Sequence, residues 1–313
     1  MQKIGRPRFL PKRSFLDLFA IRSKIGLEMP TVIAYGTNKQ AYFDLFMASC
    51  DRHAISPVML GWGKKWIGFG NKTTETRDYL AGLRDDEVVI SVDPFDVVFL
   101  CGLDEIEEKF RRASAPFLCG ALRLGPWLRR VYDREFNRGK VPIPHNPTGY
   151  DYLNSGTWIS TAGYARWLID RLEREFGMRP TDMDQEILTG IYGRDRFVVD
   201  LDWRCEIFHN LLFKNFITRS ADLKDLEFSD GRVKNVATGT RPCILHASGN
   251  AKMERIAARL GFSAEDAAPT ENNKNYVKKA LFHIVKLVRM SPAPREIASV
   301  PAAESPSERA RLV

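Results

Sequence analysis

The chain has 313 residues, 44% of them hydrophobic, which suffices for one large globular core or two small ones. No apolar run approaches the roughly 20 residues of a bilayer crossing, and five scattered cysteines without C-x-x-C spacing exclude a zinc knuckle or a disulfide framework. The net charge of +8 favours an anionic partner but does not choose among nucleic acid, acidic lipid and nucleotide phosphate.

Residues 1–30 form a basic, weakly ordered lead-in. The apolar run Phe15 to Ile21 is short, contains Asp17 and lacks a small-residue cleavage site, so no signal peptide is expected. With the cysteine usage this makes a cytoplasmic location the expectation. Thr31 to Tyr35 reads as a buried strand, Gly36-Thr37-Asn38 as a turn and Gln40 to Cys50 as a helix. That order opens a nucleotide-binding α/β unit and makes Gly36 and Thr37 binding candidates. Val58 to Leu60 is a second strand. It runs into Gly61 to Lys72, a loop of Gly, Trp and Lys that suits phosphates and a base, or equally a surface turn. Lys72 to Leu83 is a helix.

Glu87 to Phe99 is a β-branched run of the kind buried on both faces of a parallel or mixed sheet. Pro94 cannot extend the ladder, and Asp93 and Asp96 converge where strand meets loop. Two readings stand: paired carboxylates around Mg²⁺ or Mn²⁺, or turn-forming acids beside a proline. Leu103 to Arg112 reads as a helix and Pro116 to Cys119 as a strand. Gly125 to Tyr150, with Pro126, Pro142, Pro144 and Pro147, reads as a long loop over the site.

Tyr152 to Ile159 is a strand opening on Asn154-Ser155-Gly156, and Ala165 to Phe176 is an amphipathic helix. Asp184 and Gln185 fall in a capped helix start, where acids are also expected from the helix dipole alone. Phe197 to Asp202 is a strand, and Arg241 to Lys252 delivers His246 onto a turn. His246 is either a hydrogen-bonded structural residue or a third ligand beside Asp93 and Asp96. The sheet ends near residue 262. Residues 263–290 comprise a linker and a basic amphipathic helix over 276–290, which packs on the domain or lies on an anionic membrane. The tail 291–313 has a disordered composition.

Five blocks in register carry a resemblance: Leu60-Gly61-Trp62-Gly63; Gly68 to Lys72; Val92 to Val97; Leu153 to Gly156 with Asp184-Gln185; and Leu201-Asp202 to Asn210 with Leu245 to Lys252. Residues 31–262 thereby resemble the glycosyltransferase domain of the procollagen lysyl hydroxylases and, more distantly, the procollagen galactosyltransferases. The resemblance implies a GT-A fold, with a mixed, mostly parallel central sheet flanked by helices. It also implies transfer of a hexose from UDP-glucose or UDP-galactose with Mn²⁺ or Mg²⁺.

On that resemblance Asp93, Asp96 and His246 hold the metal, and Phe95 stacks on uracil. Lys72, Gly249 and Lys252 face the diphosphate, while Asn154, Asp184 and Gln185 form the donor-sugar and catalytic edge. Two positions depart from the family pattern. The acidic run before Gln185 is short, and Ala121 stands where an acid is expected. No hydroxylase domain accompanies these residues, so collagen modification is not part of the expectation. The acceptor is open: a glycan, a lipid-linked glycan or a protein hydroxyl, with nucleic acid not expected. The competing readings are a metal-dependent nucleotidyltransferase, which has no use for His246, and a non-catalytic basic nucleotide- or nucleic-acid-binding module.

Overall fold

The computed structural model describes residues 29–270 except 114, 138–140, 214–217 and 249–250. The basic helix expected over 276–290, the tail and nearly all of the lead-in lie outside the described residues. The first half contains β1 (Thr31–Tyr35), α1 (Phe43–Arg52), β2 (Val58–Leu60), α2 (Phe69–Leu80), β3 (Val88–Val92), β4 (Val97–Phe99), α3 (Leu103–Arg111), β5 (Phe117–Leu122) and α4 (Pro126–Phe136). Then come β6 (Tyr152–Thr161), α5 (Ala162–Arg174), α6 (Asp184–Tyr192), β7 (Asp200–Leu201), β8 (Phe208–Asn210), β9 (Leu226–Ser229), β10 (Arg232–Asn235), β11 (Ile244–His246) and α7 (Glu254–Arg259).

The central sheet runs β2-β1-β3-β6-β5-β7. β2 and β3 both pair parallel to β1, β7 pairs parallel to β5, and β6 is antiparallel to its two neighbours. This mixed, mostly parallel sheet between helices is the GT-A arrangement the sequence implied. Both faces are covered, which is why β1 and β3 read as unbroken apolar runs. Ile33, Val89 and Trp158 pack under α5 and α6, whereas Val32, Ala34, Ile90 and Val92 pack with Phe46 and Phe99 on the other side.

The run Glu87 to Phe99 is two strands in two sheets. Asp93 to Asp96 turns the chain out of the central sheet, and β4 joins a separate sheet in the order β4-β11-β8. The expected loop over residues 125–150 is corrected: its first part is α4. Pro126 occupies the first turn, where its missing N–H is harmless, and Leu128, Tyr132 and Phe136 recur every four residues to pack on Leu122, Leu124 and Tyr152. The other three prolines that suggested a loop, Pro142, Pro144 and Pro147, lie beyond the helix. The β9–β10 hairpin was not anticipated; Asp230 (φ 51°) and Gly231 (φ 69°) give it the left-handed turn that matches strand twist.

Candidate active site

Two strand ends meet at Asp93, Asp96 and His246. β3 ends at Val92, and the Asp93 N–H donates to the Gly156 carbonyl on β6 at 3.0 Å. His246 closes β11 opposite Val97, so the register sets the imidazole beside Asp96. One ligand atom from each of the three residues lies within 4.8 Å of the other two.

The imidazole is aimed by Asn210 at the end of β8. Asn210 Nδ2 donates to the Ala121 carbonyl at 3.1 Å, which fixes the amide's orientation and presents its oxygen to His246 Nδ1 at 2.7 Å. Since a carbonyl oxygen only accepts, Nδ1 carries the proton, and in a neutral ring Nε2 bears a lone pair. Nε2 lies 3.2 Å from Asp96 Oδ1, a buried oxygen that has no hydrogen bond. Two acceptors facing one another at this distance call for a shared proton or a cation. Burial, the largest influence on His246, opposes its protonation, but Asp96 and Asp93 outweigh it and hold the imidazole above its ordinary value.

Lys72 on α2 completes the cluster. Its ammonium, 5% exposed, donates to Asp93 Oδ1 at 2.6 Å. α2 enters this position because Gly68 and Gly70 lie against the 179–181 backbone; a Cβ on Gly70 would come within 2.0 Å of the Arg179 carbonyl. Burial is again the largest influence on Lys72, and the carboxylates Asp93, Asp184 and Asp96 override it to raise the ammonium's pKa. With the imidazole neutral, the three carboxylates Asp93, Asp96 and Asp184 against one ammonium leave two negative charges uncompensated, a deficit that a divalent cation would fill. One imidazole nitrogen and two carboxylates suit Mn²⁺, and the carboxylates alone suit Mg²⁺. The residues present therefore fit the implied metal.

Asp184, at the start of α6, serves the helix and the cluster together. Its Oδ1 accepts from the Gln185 N–H at 2.8 Å and from Ser155 Oγ at 3.1 Å, while Gln185 Oε1 accepts from the Ser155 N–H at 3.3 Å. Burial first, then repulsion from Asp93, raises its pKa against the pull of Lys72. Asn154 Oδ1 accepts from the Gly156 N–H at 3.0 Å, closing a polar edge along the opening of β6.

A family model described as the PLOD GT domain, the glycosyltransferase domain of the procollagen lysyl hydroxylases, matches residues 27–261. The chain belongs to the PLOD GT domain family. Procollagen-lysine,2-oxoglutarate 5-dioxygenase 2 of Mus musculus is 31% identical over 245 residues, covering 74% of this chain and 31% of that protein. The chain thus spans less than a third of that relative. Among solved structures, a glycosyltransferase involved in glycosylating the major capsid of PBCV-1 aligns with TM-score 0.37 and 10% identity, over 75% of this chain and 99% of that one. Mouse xyloside xylosyltransferase 1 aligns with TM-score 0.32 and 14% identity, over 67% and 73%.

In this PLOD GT domain Gly36 and Phe95 are neighbours. A Cβ on Gly36 would lie 2.8 Å from the Phe95 ring, so only glycine lets the aromatic settle at the end of β1. Thr37 gives its carbonyl to the Gly63 N–H at 2.9 Å, which ties down the loop after β2. Lys252 is exposed and makes no ion pair among the described residues, and Gly249 lies outside them.

Two positions were passed over as site residues. A Cβ on Gly156 would fall 2.4 Å from His246 Cε1 and 2.9 Å from Asp93 Oδ2. Glycine inside a strand was the available signal, because it marks close approach. Asn210 gave no local signal. A second group, Cys101, Glu105 and Cys243, also lies within 4.8 Å. There Arg232 and Lys109 outweigh the effect of burial and hold Glu105 at about 2, so that carboxylate is already compensated.

Proposed function

We propose that this chain transfers glucose or galactose from its UDP ester to a hydroxyl acceptor, with Mn²⁺ or Mg²⁺ bound by Asp93, Asp96 and His246. The observation that carries the reading is the pair of acceptors, His246 Nε2 and Asp96 Oδ1, held 3.2 Å apart by backbone register and by Asn210. A bound divalent ion supplies charge neutralisation for the diphosphate leaving group.

The chain's own residues do the rest. Gly36, Thr37 and Phe95 form the nucleotide end, Phe95 offering its ring to uracil. Lys72 stands against Asp93, and its ammonium swings between that carboxylate and a diphosphate oxygen as charge grows there. Lys252, an exposed cation without an ion pair among the described residues, is the second candidate for the diphosphate. Asn154 and Gln185 hold the hexose. Asp184 stabilises positive charge at the anomeric carbon, or takes the acceptor's proton. The acceptor oxygen bonds to that carbon, the bond to UDP breaks with its electron pair going to the diphosphate oxygen, and the hydroxyl proton passes to Asp184 or, where Asp184 only stabilises charge, to the departing diphosphate.

Calorimetric titration with UDP tests the site. Binding requires Mn²⁺ and disappears in Asp96→Ala; UDP binding indifferent to the metal would falsify the assignment. Release of free hexose from a panel of UDP-sugars identifies the donor.

A further inference from the structure

The ladder of β4 and β11 has two ends. At one, Val97 pairs with His246 beside the proposed metal ligands; at the other, Phe99 pairs with Ile244. Cys101 follows the second end and Cys243 leads into it, so two cysteines stand on opposite strands where the ladder is farthest from Asp96 and His246. Cys101 Sγ, Cys243 Sγ and a Glu105 carboxylate oxygen lie within 4.8 Å of one another, and both thiols are buried. The Leu100 N–H donates to the Cys243 carbonyl at 2.7 Å, so the two backbones already meet where a bridge between these side chains would join them.

Two cations surround the pair. Lys109, on α3, donates from Nζ to the Arg241 carbonyl at 2.6 Å, to Glu105 at 2.8 Å and to Cys243 Sγ at 3.3 Å. Its ammonium takes the place between Cys243 and Glu105 that a metal ion would need. Arg232, on β10, forks onto Glu105 at 2.8 and 2.9 Å, and its buried Nε has no hydrogen bond. One carboxylate against these two cations leaves a positive charge, the setting that stabilises a thiolate. Contact with Cys243 first, then burial, pushes the Cys101 thiol up, so Cys101 keeps its proton and the ammonium contact falls to Cys243. A cavity of about 370 Å³ is lined by Lys109, Glu206 and Ile207 among others. The Cys243 N–H donates to the Ile207 carbonyl at 2.9 Å, and its Sγ lies 3.8 Å from the Glu206 carbonyl. The cavity therefore brings a small oxidant to residues that touch Cys243.

We propose that Cys101 and Cys243 form a reversible redox site, which a hydroperoxide oxidises to a disulfide that ties β4 to β11. The Cys243 sulfur, held ionised by Lys109, attacks one peroxide oxygen; the O–O bond breaks, Cys243 becomes a sulfenic acid, and the other oxygen leaves with the thiol's proton, as water when the oxidant is hydrogen peroxide. The Cys101 thiol then attacks the sulfenic sulfur. An S–S bond forms, the S–O bond breaks, and the departing hydroxide takes the Cys101 proton as a further water. The two sulfurs give up two electrons and the peroxide accepts them. A dithiol reverses the change. The site stands apart from the transferase reading and uses none of its residues.

The test treats the folded full chain, freed of reductant, with a small excess of hydrogen peroxide. Two of the five thiols are expected to disappear, with the mass falling by two hydrogens and a linked peptide pair containing Cys101 and Cys243; dithiothreitol should restore both thiols. C101S is expected to stop at a Cys243 sulfenic acid that dimedone traps, and K109M to oxidise about ten-fold more slowly than the wild type. Melting temperatures check that the variants fold, and the wild-type peptide map does not depend on them. The proposal is overturned if the wild type keeps five thiols under peroxide that oxidises free glutathione, or if the linked peptides join other cysteines or two chains. It is equally overturned if folded C101S gives no dimedone adduct at Cys243, if folded K109M reacts at the wild-type rate, or if the isolated protein holds a zinc ion that C243S releases. Neither UDP nor Mn²⁺ enters these readouts, so failure here leaves the transferase reading standing, and failure of UDP to bind leaves the redox site standing.

Discussion

Asn210 contacts neither diphosphate nor sugar in this reading, yet it decides where the His246 lone pair points. Replacing it with alanine removes the carbonyl that Nδ1–H donates to at 2.7 Å, leaves only Ser248 Oγ at 3.3 Å and loosens the ring. Loss of such an orienting partner costs about 10- to 100-fold in metal affinity. Mn²⁺ titration of Asn210→Ala should show that loss with UDP contacts otherwise intact; unchanged affinity would mean that Asn210 serves packing alone. Gly156 makes the complementary case, because there an atom is added. The new methyl of Gly156→Ala must displace either the imidazole, 2.4 Å away, or the Asp93 carboxylate, 2.9 Å away. Mn²⁺ binding is expected to weaken more than about ten-fold, and a variant that binds normally would show that the three ligands are not held at their present spacing.

At the level of strands and helices, legibility followed the range of the interaction. β1 and β3 were readable because burial on both faces writes itself as a local run of β-branched residues, and α1, α2 and α5 because one face repeats within a few residues. α4 was masked by Pro126, which opens it, and by Pro142, Pro144 and Pro147, which follow it. The division of Glu87 to Phe99 between two sheets depends on the pairing of β4 with β11, some 145 residues away. The grouping of Asp93, Asp96 and His246 was read through the family resemblance, whereas the roles of Asn210 and Gly156 arise from contacts with His246, 36 and 90 residues distant.

β8 also contributes a pH-sensitive element. His209 is buried between Tyr150 and Asn235, and burial first, with Arg123 second, lowers its pKa from 6.5 to about 4. A group depressed in this way keeps its full stability contribution above the unfolded value and loses it as pH falls through the folded one. The window is pH 6.5 down to about 4, and the loss is about 3 kcal/mol in order of magnitude. Other carboxylates titrate over the same range, so the informative quantity is the difference between wild type and His209→Gln in urea unfolding across pH. That difference should narrow as pH falls from 6.5; a constant difference would show that His209 charges equally readily folded and unfolded.

For the whole molecule, the proposed function makes the Asp93–Asp96–His246 cluster a charge that the fold carries for the sake of binding. Burial is the largest influence on Asp96, with Asp93 adding repulsion, and its pKa is raised against the pull of His246. On the proposed metal reading, an unpaired carboxylate oxygen facing an imidazole lone pair opposes folding unless a cation lies between them. Asp96→Asn removes the charge and supplies an N–H that Nε2 can accept, satisfying both atoms. Without metal, Asp96→Asn should melt at or above the wild type. With Mn²⁺ and UDP at about 100 times their Kd, the wild type gains about 2.7 kcal/mol, several degrees for a domain of this size, and the variant gains nothing. The opposite order would be equally informative. If metal-free Asp96→Asn melts well below the wild type, Nε2 carries a proton and Asp96 stabilises the fold as half of an imidazolium–carboxylate pair. The ligand set drawn above would then be a structural ion pair, because a site built for a metal and a site built for a proton respond with opposite sign to the loss of one charge.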